Sequence, residues 1–169
     1  MIIKRINDKN FNLQLLASFD RTQKVQSVYK YANGEYTSID TDYIVDWDND
    51  AKIKMSQTLL SDKYIAFGAF DEDVLYGFVI IEEKLRSGRC VMVDIQVTNE
   101  SRKKGIGSAL FNIAKSKAIV LGAKELYMSV PPIVESVDFF RNLECEPTDK
   151  PINSIAVVEP SNIQMVCAL

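Results

Sequence analysis

Apolar positions along this chain recur at two spacings. In some segments they fall near every second residue, in others near every third or fourth, and the alternation predicts the elements. Residues 2–6 read as a short first strand, and residues 10–17 as a helix with Phe11, Leu13, Leu15 and Leu16 on its apolar side. Residues 24–28 and 36–45 are strand-like around Asn33-Gly34, a dipeptide that favours a tight hairpin turn because both residues accept positive φ. Asp48-Asn49-Asp50 offers capping side chains to a helix over residues 51–60, in which Ile53, Met55, Leu59 and Leu60 are apolar. A second hairpin is predicted from residues 64–70 and 74–82 around Asp71-Glu72-Asp73, and a strand over residues 89–97 follows a turn at Ser87-Gly88. The longest amphipathic segment covers residues 105–121. Ile106, Ala109, Leu110, Ile113, Ala114, Val120 and Leu121 share one face, Lys115 and Lys117 fall mostly outside it, and Gly122 ends it. Residues 125–130 form a strand stopped by Pro131-Pro132, residues 135–143 a short helix, and residues 154–158 with 163–168 a closing hairpin. The order predicts a single mixed α/β domain over residues 1–169, without repeats or linkers.

Composition narrows the function more than the fold. Hydrophobic residues make up 47% and charged residues 25%, as in an ordinary globular protein. A net charge of −3 argues against a nucleic-acid partner. No apolar run approaches the roughly 20 residues that span a bilayer, and the N-terminus is charged too early for a secretory leader. The expectation is a cytoplasmic protein with neither nucleic acid nor membrane as partner. Cys90, Cys145 and Cys167 are widely spaced with no CxxC, and read as reduced, buried thiols. The chain has no histidine. This removes Ser-His-Asp and Cys-His catalysis and His-ligated zinc, and no metal site is expected. Proton transfer falls to carboxylates, Tyr, Lys, Cys, backbone or water.

The chemistry concentrates where the strand over residues 89–97 runs into Arg102-Lys103-Lys104-Gly105-Ile106-Gly107-Ser108. A glycine-bearing, basic turn that opens a helix suits phosphate: the helix N-terminus presents unpaired N–H groups and positive potential, and the glycines admit close approach. The stretch resembles the GNAT superfamily of acyl-CoA-dependent N-acetyltransferases, whose pattern is I-x-V, then [RQ]-x-x-G-x-[GA] opening a helix. Here it reads Ile95-Gln96-Val97 and Arg102-Lys103-Lys104-Gly105-Ile106-Gly107. The family's A-x-x-F-[YF] helix is matched by Ser136-Val137-Asp138-Phe139-Phe140. The resemblance implies a central, mixed, mostly antiparallel, twisted sheet of about six to seven strands, flanked by about four helices. It implies acetyl-CoA as cofactor and transfer of acetyl to a primary amine of a small cationic molecule or a peptide. Backbone groups of Ile95, Gln96 and Val97 would pair with pantetheine. Amides around Lys104, Gly105, Ile106, Gly107 and Ser108 would hold the pyrophosphate. Arg102, Lys103 and Lys104 would meet the phosphates, and Ser136, Phe139 and Phe140 would complete the cofactor site. Strands left exposed in this fold leave room for a homodimer.

Two departures bear on the chemistry. Many relatives carry, at the position of Phe140, a Tyr that protonates the departing thiolate; Phe has no such proton. Some carry a basic Glu at the position of Val93; the neighbouring Asp94 should point to the opposite face of the sheet. Asp94, Ser129 and Tyr127 are the candidate catalytic side chains, beside direct attack with no indispensable base. A non-catalytic acyl-CoA-binding sensor of the same fold is the rival reading. For the acceptor, residues 31–51 hold Glu35, Asp40, Asp42, Asp46, Asp48 and Asp50 without Lys or Arg, interleaved with Tyr31, Tyr36, Tyr43 and Trp47. Carboxylates and aromatic faces attract a cationic amine. Tyr36, Asp40, Asp42, Tyr43 and Trp47 are the candidate acceptor residues.

Overall fold

The computed structural model describes residues 1–169. Its seven-stranded sheet has the order β1-β4-β5-β6-β7-β9-β8. These strands are β1 (Ile2–Arg5), β4 (Tyr64–Asp71), β5 (Val74–Glu82), β6 (Arg89–Val97), β7 (Glu125–Val130), β8 (Glu146–Pro147) and β9 (Ile163–Ala168). Only β6 and β7 run parallel. The helices are α1 (Leu13–Ala17), α2 (Asn49–Leu59), α3 (Ile106–Val120), α4 (Val134–Arg141) and α5 (Asn153–Ala156). The hairpin around Asn33-Gly34, β2 (Gln23–Ala32) and β3 (Glu35–Val45), stands outside the main sheet as its own ribbon. Its turn carries φ of 53° at Asn33 and 79° at Gly34, the positive pair that a two-residue hairpin needs.

Each face of the sheet builds a core. On one, Leu110, Phe111, Ala114 and Ala118 of α3 pack with Val79, Ile81, Met92, Leu126 and Met128. On the other, Leu16, Phe19 and Leu59 pack with Ala66, Phe78 and Ile80. Burying each large apolar side chain contributes about 1.5–3 kcal/mol. The three cysteines are free and buried.

One irregularity decides the site. Ile81 pairs with Met92, but Ile80 pairs with Asp94, so Val93 is an extra residue in β6. After this bulge, Ile95 and Val97 join the α3 side, whereas Asp94 and Gln96 lie opposite Ile80 and Phe78 on the α1/α2 side. The parallel pairing of β6 with β7 also ends at Met92↔Met128. Beyond it the strands separate and leave one edge of residues 95–97 without a strand partner.

Two expectations are corrected. Residues 154–158 are not a strand: Asn153–Ala156 is a short helix, and Val157 and Val158 are each 71% exposed. The partners of β9 are β7 and β8, so both its edges are taken. The first helix begins at Leu13 because the Asn12 side chain accepts from the Gln14 amide, while Asn10 and Asn7 close a turn before it.

Candidate functional site

A cavity of about 490 Å³ opens where β6 departs from β7, walled by residues 95–97, the turn after β6 and one face of α4. On the turn side its chemistry is main-chain. The N–H groups of Lys103, Lys104, Gly105, Ile106, Gly107 and Ser108 have no acceptor within the chain, and the first amide of α3 to find one is Ala109, bonding Gly105 O at 3.0 Å. Positive φ at Lys103 (60°) and Gly105 (82°) folds this run into a concavity at the N-terminus of a 15-residue helix. Six free amides at such a point fit a diphosphate. Gly107 is fitted to its place, since a Cβ there would approach the Phe139 ring at 3.1 Å.

Of the expected cofactor residues, Ile95, Gln96, Val97, Arg102, Lys103, Gly105, Gly107, Ser108, Ser136, Phe139 and Phe140 line this cavity. Lys104 and Ile106 do not; Ile106 is 6% exposed and belongs to the core. The Arg102 guanidinium is committed elsewhere. It donates to Val97 O at 3.0 Å, Thr22 O at 2.8 Å and Arg21 O at 3.0 Å, tying the end of β6 to the chain leading into β2. Lys103 and Lys104 are exposed and form no ion pair, so they are the cations free to meet phosphate.

The α4 wall adds Glu135, Asp138 and Asn142 to the motif's Phe139. Their i, i+3, i+4, i+7 spacing is one helical stripe and was the signal for them. Gln23 also lines the cavity from β2, and no local pattern announces it. Phe140 is 6% exposed and packs edge-on against Phe111 and Phe139, with centroids at 6.0 and 5.0 Å. Asp138 accepts from Tyr29 Oη at 3.2 Å and pairs with Arg141, whose guanidinium lies over the Tyr36 ring at 4.5 Å. Burial, then the Asp138 charge, pushes the Tyr29 hydroxyl above its ordinary value.

The acetyltransferase (GNAT) family model matches residues 25–143, well over half of the chain. The chain belongs to the GNAT acetyltransferase family. Solved structures repeat the fold at low identity. A nourseothricin acetyltransferase is 17% identical with a TM-score of 0.75, covering 99% of this chain and 97% of its own. A Bacillus anthracis str. Ames protein of the streptothricin acetyltransferase type, in complex with acetyl coenzyme A, is 15% identical with a TM-score of 0.77, covering 99% and 98%. An aminoglycoside 6'-N-acetyltransferase complexed with coenzyme A is 16% identical with a TM-score of 0.64, covering 99% and 97%. Among curated proteins, none matches this sequence.

On the opposite face of this GNAT sheet, Asp94 accepts from Gln96 Nε2 at 2.8 Å. Burial holds the Asp94 carboxyl above its ordinary value, opposed by that hydrogen bond and by the charge of Arg21. Tyr127 is wholly buried; its hydroxyl donates to Gln164 and accepts the Ile152 amide at 3.1 Å. Ser129 Oγ accepts from Gln164 Nε2 at 2.9 Å and Asn162 Nδ2 at 3.2 Å. Both hydroxyls tie the C-terminal segment to β7. Of the candidate acceptor residues, Trp47 stacks on Phe19 and Phe78 beside the α1/α2 core, and Tyr36 packs between Tyr29, Tyr31 and Arg141. Asp40, Asp42 and Tyr43 are exposed on β3. Thr41 and Asp42 both stand opposite Gln26, so a bulge interrupts the strict alternation of β3 between Asp40 and Tyr43. A second cavity, about 570 Å³, lies between the Val28, Lys30 and Ile39 part of the ribbon and residues 147–164.

Proposed function

We propose that this GNAT acetyltransferase transfers acetyl from acetyl-CoA to a primary amine of a small cationic molecule or peptide. The observation that carries the cofactor is the run of six unpaired amides, residues 103–108, at the mouth of the gap between β6 and β7. Those amides bind the diphosphate, with Lys103 and Lys104 adding charge. The unpaired edge of residues 95–97 orients an extended, amide-bearing arm as an added strand would. Phe139 and Phe140 keep water from its far end. Acetyl-CoA, when bound, supplies acetyl activated as a thioester.

The amine reaches the gap from the α1/α2 face and is used neutral, its proton passing to water or the Asp94 carboxylate. Phe140 leaves the leaving group without a phenol. A thiol ordinarily titrates near 8.5, so a departing thiolate needs little help at neutral pH. Tyr36, Asp40, Asp42 and Tyr43 on the ribbon are read as drawing the cationic acceptor in, with Trp47 as the packed base of that wall. The reading takes residues 1–169 as one cytoplasmic domain, with the free edges of β1 and β3 open to a second copy; no helix is long and apolar enough to cross a membrane.

The test is calorimetric titration with acetyl-CoA, followed in the same sample by thiol release across amines of graded size and charge. Binding with release on one amine class is expected. Binding with no release on any amine would overturn the enzymatic reading, and no binding would overturn the cofactor site.

A further inference from the structure

Cys145 and Cys167 are placed as a pair. Cys145 follows α4 and directly precedes β8, whose pairing with β9 sets Glu146 against Val166. Carried back one residue, that antiparallel register sets Cys145 against Cys167. Directly opposed residues of an antiparallel pair have Cα atoms about 4.5–5.5 Å apart and side chains on the same face. Both cysteines fit this: they are 3% and 2% exposed and belong to the core on the α3 side. Their sulfurs converge on one oxygen, Leu143 O, at 3.9 Å from Cys145 Sγ and 3.8 Å from Cys167 Sγ. The two thiols also hydrogen-bond one another. A disulfide needs Cα atoms roughly 4.4–6.8 Å apart, so the backbone already holds the spacing. Cys90 stands apart, opposite Leu126, its thiol donating to Glu82 O at 3.7 Å.

We propose that Cys145 and Cys167 form a disulfide in the folded protein, with a small-molecule disulfide as oxidant. One thiolate attacks the oxidant and displaces its first thiol; the second cysteine then displaces the other thiol from the mixed disulfide. In balance, two S–H bonds give one S–S bond, and two electrons and two protons end on the oxidant as two thiols. Burial covers both sulfurs and pushes the Cys145 thiol well above its ordinary value, so the reaction runs through local opening. β8 is a two-residue strand at the edge of the sheet, the kind of element that parts from its neighbour without unfolding the rest. Once formed, the bond ties the C-terminal end of α4, a wall of the cofactor cavity, to the last strand; Cys145 N already bonds Phe140 O at 3.0 Å. It also closes the loop of residues 145–167, which carries the Pro147, Thr148 and Pro151 side of the second cavity.

The test holds the purified protein with glutathione disulfide, natively and in concentrated urea, then quenches with an alkylating reagent and maps the peptides by mass spectrometry. Natively, Cys145 should be linked to Cys167 and Cys90 should be alkylated. Thermal unfolding should rise by about 10 °C, the effect of closing a loop of this length in a domain of this size. Cys90→Ser should keep both the link and the shift; Cys145→Ser and Cys167→Ser should each lose both. In urea the preference for this pair over links to Cys90 should fall to roughly a few-fold, the advantage of the shorter loop alone. Three native outcomes would overturn the proposal: all three thiols alkylated, glutathione held on Cys145 or Cys167 without a link, or links to Cys90 formed as readily as in urea. None of them requires a variant to fold.

Discussion

Replacing Arg102 separates a phosphate ligand from a structural tie. Its guanidinium spans three carbonyls, Val97 O, Thr22 O and Arg21 O, at 3.0, 2.8 and 3.0 Å. A hydrogen bond from a charged donor contributes about 1.5–3 kcal/mol, so three amount to roughly 5 kcal/mol or more before water reclaims the freed carbonyls. The side chain is half-buried, and that reclaiming is partial. Arg102→Ala should therefore lower the unfolding free energy by about 3 kcal/mol. Arg102→Lys keeps the charge but cannot fork toward three carbonyls, and should still lose about 2 kcal/mol. Urea unfolding at constant m reads the stability, and calorimetric titration with CoA reads the site. Both variants should bind CoA more weakly by comparable factors, because the cradle loses its anchor to the chain before β2. Should both variants stay within about 0.5 kcal/mol of the parent, and the Lys form bind CoA as tightly, Arg102 is a phosphate ligand and the tie is wrong.

Gly107→Trp should abolish CoA binding by calorimetry while far-UV circular dichroism stays native, since the indole must enter the cavity past Phe139; retained affinity would refute the diphosphate placement. Phe140→Tyr should raise the thiol-release rate by a factor on the order of ten, less than a positioned acid usually gives because a thiolate leaves readily; an unchanged rate would put the slow step elsewhere. Glu144 sits at φ 63° after α4, where Cys145 N bonds Phe140 O at 3.0 Å in a glycine-type helix end. Glu144→Gly should stabilise the fold by about 1 kcal/mol in urea unfolding, after the freer unfolded glycine takes back part of the gain. Because Asp94 is raised in the folded state, the native protein holds a proton there that the unfolded chain has lost. Its contribution to stability falls as pH rises from the ordinary Asp value of 3.8 through the raised folded value, and a stability–pH profile of Asp94→Asn should lack that fall.

The local signals held where one element decides its own conformation. The apolar face of α3, Gly122 after it, Asn33-Gly34 and the strand-to-helix turn at residues 102–108 all depend on neighbours within a few residues. What the sequence hid depends on distant partners. Nothing near Arg102 marks it as bound to Thr22 and Arg21 rather than to phosphate, because the carbonyls it meets carry no side-chain signature. The valines at 157 and 158 have a strand's composition, but β9 has no free edge for them. The ribbon β2–β3 has the alternation of any hairpin, and only its tertiary docking, with Tyr29 N on Pro132 O at 2.7 Å, separates it from the main sheet. Gln23 reaches the cavity from that same ribbon.

The extra residue at Val93 works like a frame marker. Side chains on a strand obey parity, and one added position reverses the parity of everything after it. Without the bulge, with Val93 taking an ordinary place in the ladder, Ile95 and Val97 would trade faces with Asp94 and Gln96: a carboxylate would enter the groove meant for an uncharged arm, and two aliphatic side chains would turn to the α1/α2 side. One looped-out residue in β6 thus keeps grease on one side of the sheet and charge on the other. Deleting Val93 itself would straighten the strand and leave every later side chain on its present face.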